Sequence, residues 1–139
     1  MIFNPSYGWC DFKLGSFQGT PSYLTDVPFD LLNAFINRHY GKSAAVFFDE
    51  EGTEFTLVIN YHSMFIIEER KEKPILHDFS FININELEKE LINDIESNID
   101  GWVSDFFFND SEEEKKEYKE KLLELLKKLK KLGRYEWKN

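Results

Sequence analysis

Four carboxylates crowd one short stretch of the chain: Asp49, Glu50, Glu51 and Glu54, gathered around Gly52. Oxygen ligands at that density suit a hard cation such as Ca²⁺ or Mg²⁺. They lack the alternating Asp/Asn spacing of a calcium loop. The same residues also make a polar turn kept in water, or an anionic knob for a basic partner. The local sequence favours these two readings over a metal site.

Other reactive residue types are few. His39, His62 and His77 are scattered, and none belongs to an HExxH pair. His77 precedes Asp78, but neighbours on a strand point to opposite faces, so the two cannot act as an acid–base couple. Packing on the inner face or edge of a sheet is the preferred role for His77, and His62 falls in a turn. Cys10 has acidic Asp11 beside it and no basic neighbour to favour a thiolate, which reads as core filling. The seven glycines form neither a GxGxxG nor a GxxxxGK[ST] phosphate cradle. Catalysis, a metal and a cofactor are therefore not expected.

Amphipathic aromatics favour both cores and interface hot spots. Trp102 falls on a helical stripe. Tyr23 falls in a loop and Tyr61 in a turn, so these two join Asp49, Glu50, Glu51 and Glu54 as candidate partner-binding residues. The carboxylates are expected to matter for binding and little for folding, because crowded like charges repel.

Charge narrows the partner. The net charge is −9. From Asp110 onward the sequence holds 8 acidic and 10 basic residues, out of totals of 26 and 17. The preceding 109 residues therefore carry 18 and 7, a net −11. Such a body repels phosphate backbones and anionic lipids and attracts basic proteins. Neither nucleic acid nor membrane is an expected partner. The lone cysteine fits a reducing compartment. The first residues show no basic segment followed by an apolar run, so no signal peptide is read and a cytoplasmic location is expected.

The elements that must carry these residues can be read from periodicity. Gly8 to Phe17 alternates, with Cys10, Phe12 and Leu14 on one face, and predicts a half-buried strand. Thr25 or Asp26 caps a helix whose apolar face is Leu31, Leu32, Phe35 and Ile36, ending at Gly41. Ala44 to Phe48 and Glu54 to Asn60 form a hairpin, and Met64 to Glu69 and Ile75 to Phe81 continue the sheet. In the last strand Ile75, His77, Phe79 and Phe81 share a face. Asn85 with Glu88 resembles a capping box, opening a helix through Leu87, Leu91, Ile95, Trp102 and Phe106 that Gly101 bends. Ser111 with Glu114 is a second capping box. It opens a helix with Tyr118, Leu122, Leu125, Leu129 and Leu132 on its apolar face, which packs on its own domain.

The expected fold is a single α+β domain over 1–139, with its core at 8–132 and a flexible tail at 133–139. Its antiparallel sheet has about five strands. One helix follows the first strand and two close the chain, in the order β-α-β-β-β-β-α-α, with the helices mostly on one face.

Particular segments resemble a family. Gly8-Trp9-Cys10-Asp11-Phe12 is followed by Ser22-Tyr23-Leu24-Thr25-Asp26-Val27-Pro28 and Asp30-Leu31-Leu32, then Phe47-Phe48-Asp49-Glu50-Glu51-Gly52 with Glu54-Phe55, and Ile66-Ile67-Glu68-Glu69. From about Gly8 to Leu132 the chain is similar to bacterial immunity proteins of polymorphic toxin systems, including contact-dependent growth inhibition. The resemblance implies a cytoplasmic antitoxin that binds a cognate toxin domain, such as a nuclease with a basic cleft, and neutralises it by stoichiometric protein–protein interaction. It supplies no catalytic residues. A general acidic adaptor or regulatory domain is the alternative, and an uncharacterised hydrolase a third.

Overall fold

The computed structural model describes residues 2–6, 8–22, 26–70, 72–106 and 111–134. Its elements are β1 (Ile2–Ser6), β2 (Trp9–Leu14), β3 (Phe17–Gly19), α1 (Val27–His39), β4 (Ala44–Asp49), β5 (Glu54–Ile59), β6 (Met64–Glu69), β7 (Ile75–Asp78), α2 (Ile84–Ser97), α3 (Ile99–Phe106) and α4 (Glu112–Gly133). The strands form two antiparallel sheets, β1-β2-β3 and β4-β5-β6-β7. The α+β class stands. The expected single sheet of about five strands, with three helices, does not.

Two departures come from turns inside apolar patterns. The segment read as one strand from Gly8 to Phe17 reverses at Gly15, whose φ of +58° glycine adopts without strain. Phe17 then pairs back with Leu14 across β2–β3. A strand also precedes residue 8: β1 pairs with β2 from Ile2↔Phe12 to Ser6↔Trp9, with an irregularity ahead of Pro5. Proline has no N–H to donate, which suits an outer strand. The helix expected from Asn85 through Phe106 breaks at Asn98, and α3 starts anew with Trp102 N–H donating to the Asn98 carbonyl at 3.1 Å.

A phenylalanine cluster joins the sheets. Phe12 lies 5.3 Å from both Phe48 and Phe55, Phe48 and Phe55 stack at 4.8 Å, and Phe17 meets Phe55 edge-on at 4.9 Å. Gly19 passes so close that a Cβ there would stand 2.7 Å from the Phe55 ring. Around this cluster the core takes in Cys10, Leu31, Leu32 and Phe35 of α1, and the inward residues of β4–β6.

Helix ends follow local chemistry. Asp26 caps α1, accepting from Phe29 N–H at 3.3 Å, and also accepts from the Tyr118 hydroxyl, which ties α1 to α4. Asn83, not Asn85, caps α2 by accepting from Glu86 N–H at 3.2 Å. Ser111 caps α4 as expected, accepting from Glu114 N–H at 3.2 Å. That helix buries Tyr118, Leu122, Leu126 and Leu129, with Leu125 and Leu132 half-buried, and runs to Gly133 before Arg134 ends it in the left-handed region. The tail expected from residue 133 thus begins inside α4, and 135–139 lie outside the described residues.

α1 and the three-stranded sheet pack against the inner face of β4–β7, and α2, α3 and α4 pack against them. Strand alternation then turns every second residue of β4–β7 away from the core, with Ala45 and Phe47 at the β4 edge lining a depression beside Asp30, Asn33 and Asn37 of α1.

Candidate protein interface

The outward residues of the larger sheet fall into three rows set by register. Asp49 pairs with Glu54, and Glu54 with Glu69, so three carboxylates stand side by side at one end. Phe47, Thr56, Ile67 and Leu76 form the next row. Ala45, Val58, Phe65 and Asp78 form the third. Phe47 is 42% exposed and Leu76 65%. Val58, Phe65 and Ile67 are half-buried, and they do not join the residues packed on the core. The rows contain four carboxylates and no basic side chain.

The hairpin itself separates the candidate residues. Asp49 accepts from Glu51 N–H at 2.7 Å, and Glu50 N–H donates to the Thr53 carbonyl at 2.9 Å. This closes the turn, with Glu51 in the left-handed region at φ 56° and Gly52 at 141°. Glu51 and Glu54 are exposed. Glu50 folds inward instead, accepting from Thr20 N–H at 2.9 Å and from the Thr53 hydroxyl at 3.0 Å. Its carboxylate stitches the loop after β3 to the hairpin. The expectation that all four carboxylates matter little for folding fails at Asp49 and Glu50, because each accepts from a backbone N–H.

Glu69 is the residue that sequence reasoning left out of the site. It stands beside Glu54 only through the β5–β6 register, which no local spacing reveals. Its neighbour Glu68 points to the inner face, bonded to His77 at 3.0 Å and paired with Arg70 at 3.2 Å. The His77 hydrogen bond, aided by Arg70, holds the Glu68 carboxyl below its ordinary range. His77 packs edge-on against Phe17 at 5.2 Å, a structural place at the sheet's inner edge. A depression of about 800 Å³ at this end is lined by Asp49, Glu54, Glu68, Glu69 and Arg70. Among the described residues no group of three or more His, Cys, Asp or Glu is placed to hold a metal ion.

Tyr61 does not join this cluster. It sits in the β5–β6 turn, whereas Asp49 and Glu54 flank the β4–β5 turn. A strand rise of about 3.4 Å per residue over β5 puts these ends roughly 20 Å apart. Tyr61 is 51% exposed and lies under the Arg38 guanidinium, 5.3 Å from its ring centre. Tyr23 lies outside the described residues. Phe81, expected in the last strand on the face of Ile75, His77 and Phe79, lies beyond the end of β7 and is 84% exposed, where Asp78 accepts from Ser80 N–H at 2.9 Å and turns the chain.

A second ionic cluster lies inside the molecule. Arg38 of α1 and Glu88 of α2 are 2% and 0% exposed and meet at 3.3 Å. Arg38 also donates to the Tyr61 carbonyl at 2.8 Å and to Asn85 Oδ1 at 2.9 Å. His39 Nε2 contacts both Glu88 oxygens at 2.9 Å. The expected capping box of Asn85 and Glu88 is thus replaced: both side chains turn to Arg38. Fifty residues separate the ion pair, so no motif announces it.

No helix among the described residues is long and apolar enough to cross a membrane. Comparison with protein-family models, with curated proteins and with solved structures returns no match.

Proposed function

We propose that this chain is an immunity protein that binds a cognate bacterial toxin domain one-to-one and blocks it, with no turnover of its own. The observation that carries the reading is the carboxylate row Asp49–Glu54–Glu69 on the outward face of the sheet. Like charges directly opposite on neighbouring strands destabilise a sheet. Asp49 accepts from Glu51 N–H in the turn, but Glu54 and Glu69 give the fold no such bond, whereas a binder of a basic cleft gains both steering and specificity from all three. Glu51 extends the same negative edge into the exposed turn. The segments Phe47 to Phe55 and Ile66 to Glu69, which carry part of the resemblance to immunity proteins, form this face. The toxin's basic cleft, the kind that holds a nucleic-acid substrate, is the surface that such an edge covers.

Titration decides the matter. The toxin domain encoded next to this chain's gene is assayed with increasing amounts of the purified protein. Complete inhibition at one equivalent, with protection of cells co-expressing both, is the expected result. Full toxin activity at large excess of the protein would overturn the proposal.

A further inference from the structure

Resting on the reading of this chain as a protein-binding inhibitor, we infer that the apolar rows of the open sheet face are the contact centre, and that their occupant is a protein surface whose apolar patch is bordered by lysine or arginine. Phe47, Ile67 and Leu76 in one row, with Val58 and Phe65 in the next, make a continuous apolar strip across four strands. With strands about 4.8 Å apart and rows roughly 7 Å apart, the two apolar rows span on the order of 270 Å², and the carboxylate row brings the whole face to roughly 400 Å². An apolar patch of a few hundred Å² rimmed by polar residues is the kind of surface that marks an interaction site, and with its border this face has that form. It is also about half of one side of a standard interface, so a partner that covers it reaches the acidic border as well.

Charge selects the occupant. The face carries Asp49, Glu54 and Glu69 at one end and Asp78 at the other. A second copy of this chain would bring carboxylates against carboxylates or against apolar rows, with Arg70, already paired with Glu68 beside the row, as the cation at this end to answer them. A nucleic acid brings phosphates to the same carboxylates and is repelled. An apolar centre with a basic border satisfies both parts: the centre excludes water, and the border pairs with the carboxylate row. The exposed rings and chains at the two ends of the middle row, Phe47 and Leu76, are the anchors.

The test maps the surface without relying on any toxin. The isotope-labelled full chain is titrated with a soluble peptide alternating Leu and Lys, and separately with its Leu/Glu counterpart, while amide resonances are followed. Shifts centred on Ala45, Phe47, Val58, Phe65, Ile67 and Leu76 with the Leu/Lys peptide alone are expected. Phe47→Asp with Leu76→Asp, both at exposed positions, should weaken that binding about tenfold or more. Phe81→Asp, more exposed than either but off this face, should leave it unchanged. Absent shifts, shifts elsewhere, or equal response to the Leu/Glu peptide would each overturn the assignment. Concentration-dependent dimerisation of the unliganded chain through these rows would also overturn it, naming a second copy as the occupant. The neutralisation titration can fail while this mapping succeeds, and the reverse, so the two readings fall separately.

Discussion

Two sets of carboxylates in this molecule live under opposite conditions. Glu88 is completely buried and surrounded by donors, with Arg38 and His39 both on its oxygens. Asp49, Glu54 and Glu69 stand in a row on an outward face, each beside another carboxylate. The first set locks α1 to α2 and to the β5–β6 turn. In the second, Asp49 closes the β4–β5 turn by accepting from Glu51 N–H, while Glu54 and Glu69 face each other with only repulsion between them. Where charge is bound inward it serves stability, and where it is aligned outward and left to water it is available to a partner. Glu50 shows that position in the chain does not decide which: it neighbours Asp49 and Glu51 yet turns inward to Thr20.

The contrast makes its largest prediction at Glu88. Glu88→Ala leaves the Arg38 guanidinium buried without its anion, a change that costs about 3–5 kcal/mol. Urea unfolding should show a correspondingly lower midpoint. A loss under about 1 kcal/mol would mean that water or another anion reaches Arg38, and the inward half of the comparison would break. Glu50→Lys comes next. It removes the exposed bonds from Thr20 N–H and the Thr53 hydroxyl and should cost about 1 kcal/mol, whereas Glu51→Lys at the exposed turn should stay within about 0.5 kcal/mol. Equal melting temperatures for the two variants would erase the distinction drawn at the hairpin.

Titration sharpens the comparison further. Burial raises the Asp26 carboxyl above its ordinary range, more than the bonds from Tyr118 and Phe29 lower it. An acid with a raised folded value contributes stability below its unfolded pKa and loses it as pH rises through the folded value. Glu68 is the reverse case: its lowered value gives stability above the ordinary carboxylate range and withdraws it as pH falls through the folded value. Asp26→Asn keeps the cap and removes the desolvated charge. It should match or exceed the parent in stability at neutral pH, and the difference should vanish as pH drops below the ordinary carboxylate range. Unfolding curves collected across that range check this. A variant less stable at neutral pH than at acid pH, relative to the parent, would show that the Asp26 anion is needed by the α1 N-terminus.

Much of this arrangement was legible in the residues. The alternation of β4 to β6, the polar turn at Asp49 to Gly52 and the caps at Asp26 and Ser111 are local signals, and local bonding fulfils them. Cys10 in the core follows from its place in an alternating strand. What escaped was set by non-local geometry or by turns hidden in apolar runs. Gly15 and Ser16 interrupt a run that alternates well enough to pass as one strand. Asn98 breaks a helix whose apolar stripe continues across it. Glu69 joins the site through cross-strand register, and Glu88 leaves the caps because Arg38, fifty residues away, draws it inward.

The outward row gives the smallest stability effect and the most direct functional one. Glu54→Lys with Glu69→Lys should change the melting temperature little, since both sit at a repulsive cross-strand pair. Under the proposed function its effect belongs in association with a cognate toxin domain, measured by stopped flow over a range of ionic strengths. The parent should bind fast at low salt and slow steeply as salt rises, and the variant should bind more slowly with a flattened salt dependence. Identical rates for parent and variant at every ionic strength would contradict the assignment of the carboxylate row as the binding edge.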